Sequence, residues 1–74
     1  MTADKLLILN DRCVRVYKDA CINYKVRETA IRFFQLALPH FVANNNASMA
    51  KRNSLRLQAL QVMRESRLPY WQVF

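Results

Sequence analysis

The chain has 74 residues, and none of them is glycine. This absence excludes the glycine-rich loops that bind phosphates or dinucleotides, and it argues against an all-β fold with tight hairpins. The net charge is +7, yet 53% of the residues are hydrophobic, which is too many for a disordered basic tail. We therefore expect one small, folded, basic domain.

The N-terminal half carries the pattern of a long helix. An apolar series at seven-residue spacing predicts one helix over residues 3–38 and consists of Leu6, Cys13, Ala20, Phe34 and Phe41. A kink or break at 26–28 is the alternative, since a turn could interrupt the pattern only in this region. Pro39 is expected to end the helix, because proline lacks the N–H group that a helix interior requires.

The C-terminal half predicts a loop, a second helix and an aromatic tail. The loop covers residues 39–46, where consecutive asparagines tolerate the left-handed backbone that a turn needs. The second helix covers 47–67, and either Asn46 or Ser48 caps its start. Residues 69–74 form the tail. Together these elements predict an all-α fold, a long helical hairpin.

The hydrophobic content also predicts self-association. One hairpin buries a single stripe of each helix, which is less than the apolar residues of this chain require. We therefore expect two chains to form a four-helix-bundle homodimer. Asn23 and Arg27 interrupt the apolar stripe. They either set the register of that dimer or, for Arg27, the side chain extends outward to solvent.

The two cysteines indicate a reducing environment. Cys13 and Cys21 would lie about 12 Å apart on the predicted helix, too far for a disulfide within one chain. We expect both to be reduced core residues in an intracellular compartment, the cytoplasm or the nucleus. No apolar run is long enough to predict a secretory signal or a membrane-spanning helix.

The residue types that carry catalysis are scarce. The single histidine, His40, follows a proline, and the five carboxylates are scattered along the chain, mostly beside basic residues. Neither a zinc site, a Cys–His nucleophile nor a general acid–base pair is predicted from this arrangement. We therefore expect a binding protein that has no catalytic residues and needs no cofactor or metal.

Nucleic acid is the leading predicted ligand. Lys18, Lys25 and Arg32 are spaced by seven residues and would form a cationic row along one continuous helix. Such a row contacts phosphates without reading bases, and a dimer would double it into a wide surface suited to duplex RNA rather than DNA. The predicted nucleic-acid-binding residues are Arg12, Arg15, Lys18, Lys25, Arg32, Arg52 and Arg56.

Two other binding hypotheses remain open. The chain could be a protein–protein adaptor or inhibitor that uses Tyr70, Trp71 and Phe74 as interface anchors, with the arginine-rich second helix contacting an acidic partner. In that case the tail must stay exposed rather than fold back to cap the bundle. The third hypothesis is attachment to an anionic membrane surface, which would compete for the apolar face that folding needs.

Overall fold

The computed structural model describes the whole chain, Met1–Phe74, and contains helices but no strands. Three long helices, α1 (Ala3–Ile22), α2 (Arg27–Ala43) and α3 (Ala47–Met63), are followed by the short α4 (Tyr70–Val73). The predicted all-α class is confirmed. The molecule measures 37 × 17 × 16 Å, so it is elongated along its helices.

The first half of the chain is broken into two helices. The predicted continuous helix over residues 3–38 is wrong, because a 3-10 turn at Tyr24–Val26 separates α1 from α2. Asn23 starts this break with an extended backbone, and its side-chain oxygen accepts a hydrogen bond from the Lys25 N–H at 3.0 Å. Such a bond competes with helix continuation. The break lies next to the alternative position, 26–28.

The ends of the second and third helices also differ from the prediction. Pro39 does not end a helix; α2 continues through it to Ala43. Phe34 and Phe41 explain this, because both rings are fully buried and only a continuous helix keeps them on the same face. The C-terminal end of α3 is Met63, whereas the prediction extended this helix over 47–67.

Three asparagines form the whole connection between α2 and α3. Asn45 has a φ of 58°, in the left-handed region that asparagine tolerates better than most other residues. The Asn46 side chain accepts a hydrogen bond from the Met49 N–H at 3.1 Å, which confirms the predicted N-cap at this residue. The chain therefore reverses in a short turn without glycine.

Arg27 connects the ends of three helices. Its side chain is 1% exposed, although the sequence left open an outward position or a role in dimer register. All its hydrogen bonds go to backbone carbonyl oxygens, at 2.5–3.2 Å, namely those of Ala20, Cys21, Met63, Ser66 and Leu68. Both expectations for Arg27 are therefore wrong, because these bonds use all five donors of the guanidinium within one chain.

The position of Arg27 also gives the directions of the helices. It begins α2 and binds carbonyl groups at the C-terminal ends of both α1 and α3. Therefore α2 runs antiparallel to the other two long helices, which are parallel to each other. The core between them consists of the buried residues Leu6, Cys13, Ala20, Cys21, Ala30, Ile31, Phe34, Ala37, Phe41, Leu60 and Met63. Three helices share one core, where two had been predicted.

Candidate nucleic-acid interface

The predicted cationic row does not lie on one helix. Lys18 belongs to α1, Lys25 to the 3-10 turn and Arg32 to α2, and all three side chains are exposed. At about 100° per residue, Arg32 lies on the side of α2 opposite the buried Phe34. The reason is the break at Asn23, because a seven-residue spacing keeps one face only while the helix continues.

A groove instead brings residues of both main hypotheses together. It lies between α1, α3 and the C-terminal segment and has a volume of about 600 Å³. Lys18 and Arg56, two predicted nucleic-acid-binding residues, line it together with the aromatic rings of Tyr17, Tyr70 and Trp71. The groove therefore presents positive charge next to flat apolar surfaces.

The C-terminal segment is partly folded back. Val73 packs against the core, whereas Tyr70 and Trp71 are 45% and 59% exposed. The rings of Tyr70 and Trp71 are packed edge to face, with 5.3 Å between their centroids and an interplanar angle of 80°. Phe74 is exposed and does not line the groove. The segment thus packs on the core through Val73 and offers an aromatic pair to solvent.

A buried amide positions Arg56 in the groove. Asn53 is fully buried in α3, and its oxygen accepts a hydrogen bond from Nη1 of Arg56 at 2.7 Å. The Asn53 amide nitrogen in turn donates to Oδ1 of Asn10 on α1 at 3.0 Å. Sequence reasoning missed this pair of asparagines. The burial of Asn53 could have been inferred from spacing, because Asn53 precedes the apolar Leu60 by two helical turns on the same face.

The other predicted cations are exposed and unpaired. This holds for Arg12 and Arg15 on α1 and for Arg52 on α3, one turn before Arg56. The structure contains one ion pair, between exposed Arg64 and Glu28 at 2.6 Å. Most of the positive charge of the chain is therefore not neutralised by its own carboxylates.

Both cysteines are buried free thiols, and Cys21 lines the groove. Burial raises the pKa of Cys13 to about 11, against a smaller lowering by the charge of Arg56. Burial also raises the pKa of Cys21, which its hydrogen bond with Tyr17 and the charge of Arg27 oppose. The thiols are therefore protonated near neutral pH, which makes them poor nucleophiles.

We expect folding stability to fall in alkaline solution because of Cys13. The folded pKa, about 11, lies above the ordinary value of 9.0, so the folded state holds the proton more tightly. This contribution is complete below about pH 9 and is lost as the pH rises toward 11. Urea denaturation between about pH 7 and pH 10.5 measures it, with Cys13→Ala as the comparison. An equally steep loss in Cys13→Ala would contradict the assignment.

Metal-ligand geometry and comparisons with known proteins give no further lead. No three His, Cys, Asp or Glu side chains lie close enough together to hold a metal ion. Every helix is too short or too polar to cross a membrane. No protein-family model matches the chain, and no curated protein or solved structure is significantly similar to it.

Proposed function

We propose that this chain is a non-catalytic nucleic-acid-binding protein that holds RNA in the groove between α1, α3 and the C-terminal segment. The supporting observation is that Lys18 and Arg56 line the same groove as the exposed Tyr70–Trp71 pair. Lysine and arginine contact phosphates regardless of sequence, and exposed aromatic rings stack on bases. Both interactions are available within one site.

The charge distribution supports a polyanionic ligand. The chain carries a net charge of +7 and contains one ion pair, so most of its exposed cations are free to attract phosphates. Arg52 extends the cationic surface by one turn beyond Arg56 along α3. Contacts of this kind position a nucleic acid through its backbone, and they predict binding with little sequence preference.

Unpaired RNA fits this site better than duplex RNA. The preference for a duplex depended on one straight cationic helix, and the break at Asn23 removes that basis. The Tyr70–Trp71 pair instead offers a surface on which unpaired bases stack, which paired bases inside a duplex cannot do. We therefore propose RNA with unpaired segments as the ligand.

We also propose that the chain forms a homodimer. Only 13 residues are buried, while 14 large hydrophobic side chains are exposed. Exposed apolar surface on this scale favours association, and two-fold dimers are its commonest form.

A second candidate function uses the same groove. Six of its eight lining residues are hydrophobic, and the other two are Lys18 and Arg56. This combination would also accept an acidic amphipathic peptide, so the chain would then be an adaptor or inhibitor of a partner protein.

Trp71 allows a direct test, because it is the only tryptophan in the chain. Titration with a labelled single-stranded RNA of about 20 nucleotides should quench its fluorescence through base stacking. Matching duplex RNA and single-stranded DNA serve as comparison ligands, and each titration is repeated over a salt series. We expect tighter binding of unpaired RNA, with an affinity that falls as the salt concentration rises.

Substitutions separate stacking from general charge attraction. Trp71→Ala should weaken the binding of unpaired RNA by about tenfold, the value of one stacked base. Phe74→Ala is the matched control, because Phe74 is an exposed aromatic residue outside the groove. Equal binding of all ligands without quenching would contradict the site. If no ligand binds, the adaptor function becomes the better proposal.

A further inference from the structure

The outward side of α3 has an apolar centre and charged ends. Leu55 and Val62 are 56% and 64% exposed and lie two turns apart on the same side. Lys51 precedes Leu55 by one turn, and Glu65 follows Val62 by one turn. Neither charged residue forms an ion pair within the chain. We refer to Lys51, Leu55, Val62 and Glu65 as the α3 stripe.

We propose that the α3 stripe binds a second copy of this chain, with the two α3 helices antiparallel around a two-fold axis. This inference rests on the homodimer proposed above and names its surface. When the axis passes between Gln58 and Ala59, Leu55 of each copy lies opposite Val62 of the other. The contact between Leu55 of one copy and Val62 of the other then occurs twice, once on each side of the axis, as a two-fold interface requires.

The charges of the stripe select this antiparallel arrangement. At about 100° per residue, Lys51 and Glu65 lie on the same flank of the line from Leu55 to Val62. A two-fold axis perpendicular to the helices keeps each flank on its own side, so Lys51 of one copy meets Glu65 of the other. A parallel pair would instead place Lys51 at the level of the other Lys51 and Glu65 at the level of the other Glu65, so no opposite charges would meet.

Glu65 is in position for this contact although α3 ends before it. Its predecessor Arg64 still has helical backbone angles, with φ −49° and ψ −47°.

An apolar centre with a charged rim is also the usual anatomy of a protein interface. The outward side of α1 lacks it, because Asp11 and Arg15 lie between the exposed Leu7 and Ile22.

This pairing leaves the proposed RNA site open. Arg56 lies on the flank of α3 opposite Lys51, about 110° around the helix from the line between Leu55 and Val62, so the second copy does not cover it. Because the two-fold axis keeps each flank on its own side, the grooves of both copies open on the same side of the dimer. The dimer would therefore offer two cationic grooves to one RNA strand.

Light scattering and sedimentation test the interface on the intact chain. The wild type should have twice the monomer mass of 8.8 kDa at about 100 μM. Leu55→Glu and Val62→Glu should each give monomers, because each places two carboxylates in the apolar centre. Leu36→Glu is the matched control, since Leu36 is 75% exposed on α2. Circular dichroism checks that every variant is folded.

Charge reversal tests the register. Lys51→Glu and Glu65→Lys should each weaken dimerisation by about tenfold, and the double variant should restore it. Ala59→Cys should form a disulfide-linked dimer on oxidation, because the two Ala59 residues face each other near the axis. Gln35→Cys, exposed on α2, should not.

The outcomes separate this interface from the other proposals. A monomeric wild type would overturn both the homodimer and the α3 stripe. A dimer that survives Leu55→Glu and Val62→Glu would overturn the stripe alone. RNA titration of the monomeric Leu55→Glu variant tests the groove independently, because Leu55 does not line it.

Discussion

Replacing Arg27 with methionine is expected to lower the free energy of unfolding by about 3–5 kcal/mol. Methionine keeps much of the apolar stem but leaves five carbonyl oxygens without their donor, at the ends of α1 and α3 and in the segment that follows α3. A chain of this length has a total stability of about 4–11 kcal/mol, so this loss approaches global unfolding. Arg27→Lys should cost about 2–3 kcal/mol, because one ammonium group cannot reach both helix ends.

Urea denaturation followed by circular dichroism measures these losses. Arg64→Met is the matched control, because Arg64 is also an arginine near the end of α3 but forms an exposed ion pair with Glu28. It should cost about 1 kcal/mol or less. A loss of similar size for Arg27→Met and Arg64→Met would show that the buried guanidinium does not hold the helix ends together.

Changing both groove cations is expected to weaken RNA binding by about 100-fold. The variant combines Lys18→Glu with Arg56→Gln, which removes two phosphate contacts and adds one repulsive charge. The loss should be nearly the same for different RNA sequences, because these residues contact the backbone. The slope of log affinity against log salt concentration should also become shallower by about two.

A control with the same change in net charge isolates the groove. Arg12→Glu combined with Arg32→Gln also lowers the net charge by three, at exposed residues that do not line the groove. Anisotropy titrations should show a much smaller loss for this control. Equal losses in both variants would mean that the overall charge, rather than the groove, determines binding. Arg56→Gln also removes a hydrogen bond to Asn53. Thermal melts of this variant measure whether the loss of that bond lowers the stability of the fold.

The burial pattern was predictable from sequence, whereas the helix break was predictable only as an alternative to one continuous helix. The seven-residue series through Leu6, Cys13 and Phe34 is buried as the periodicity indicates. Arg27 occupies a position of the same series, so the spacing alone indicated that it is buried. Its charge indicated the opposite, because arginine is rarely buried without a partner. The break was considered only as an alternative, at 26–28, because Asn23 acts through one local side-chain bond that leaves the seven-residue spacing unchanged.

The candidate site was predictable only as separate parts. Lys18 and Arg56 were identified as candidate phosphate contacts, and Tyr70 and Trp71 as candidate interface anchors if the tail stays exposed. Their convergence depends on α1 and α3 being parallel neighbours, which follows from the break that the periodicity did not reveal. Local sequence patterns indicate which residues are buried or charged. Which distant segments come into contact depends on the relative directions of the helices, and local patterns do not contain this information.

The bonds made by Arg27 have a consequence for sequence variation. Arg27 binds the carbonyl oxygens of Ser66 and Leu68 rather than their side chains, and this segment leads directly to Tyr70 and Trp71. Every residue type supplies a carbonyl oxygen, so relatives of this chain can exchange residues here and still hold the aromatic pair in place. An arginine at position 27 would identify such relatives better than similarity in the C-terminal segment.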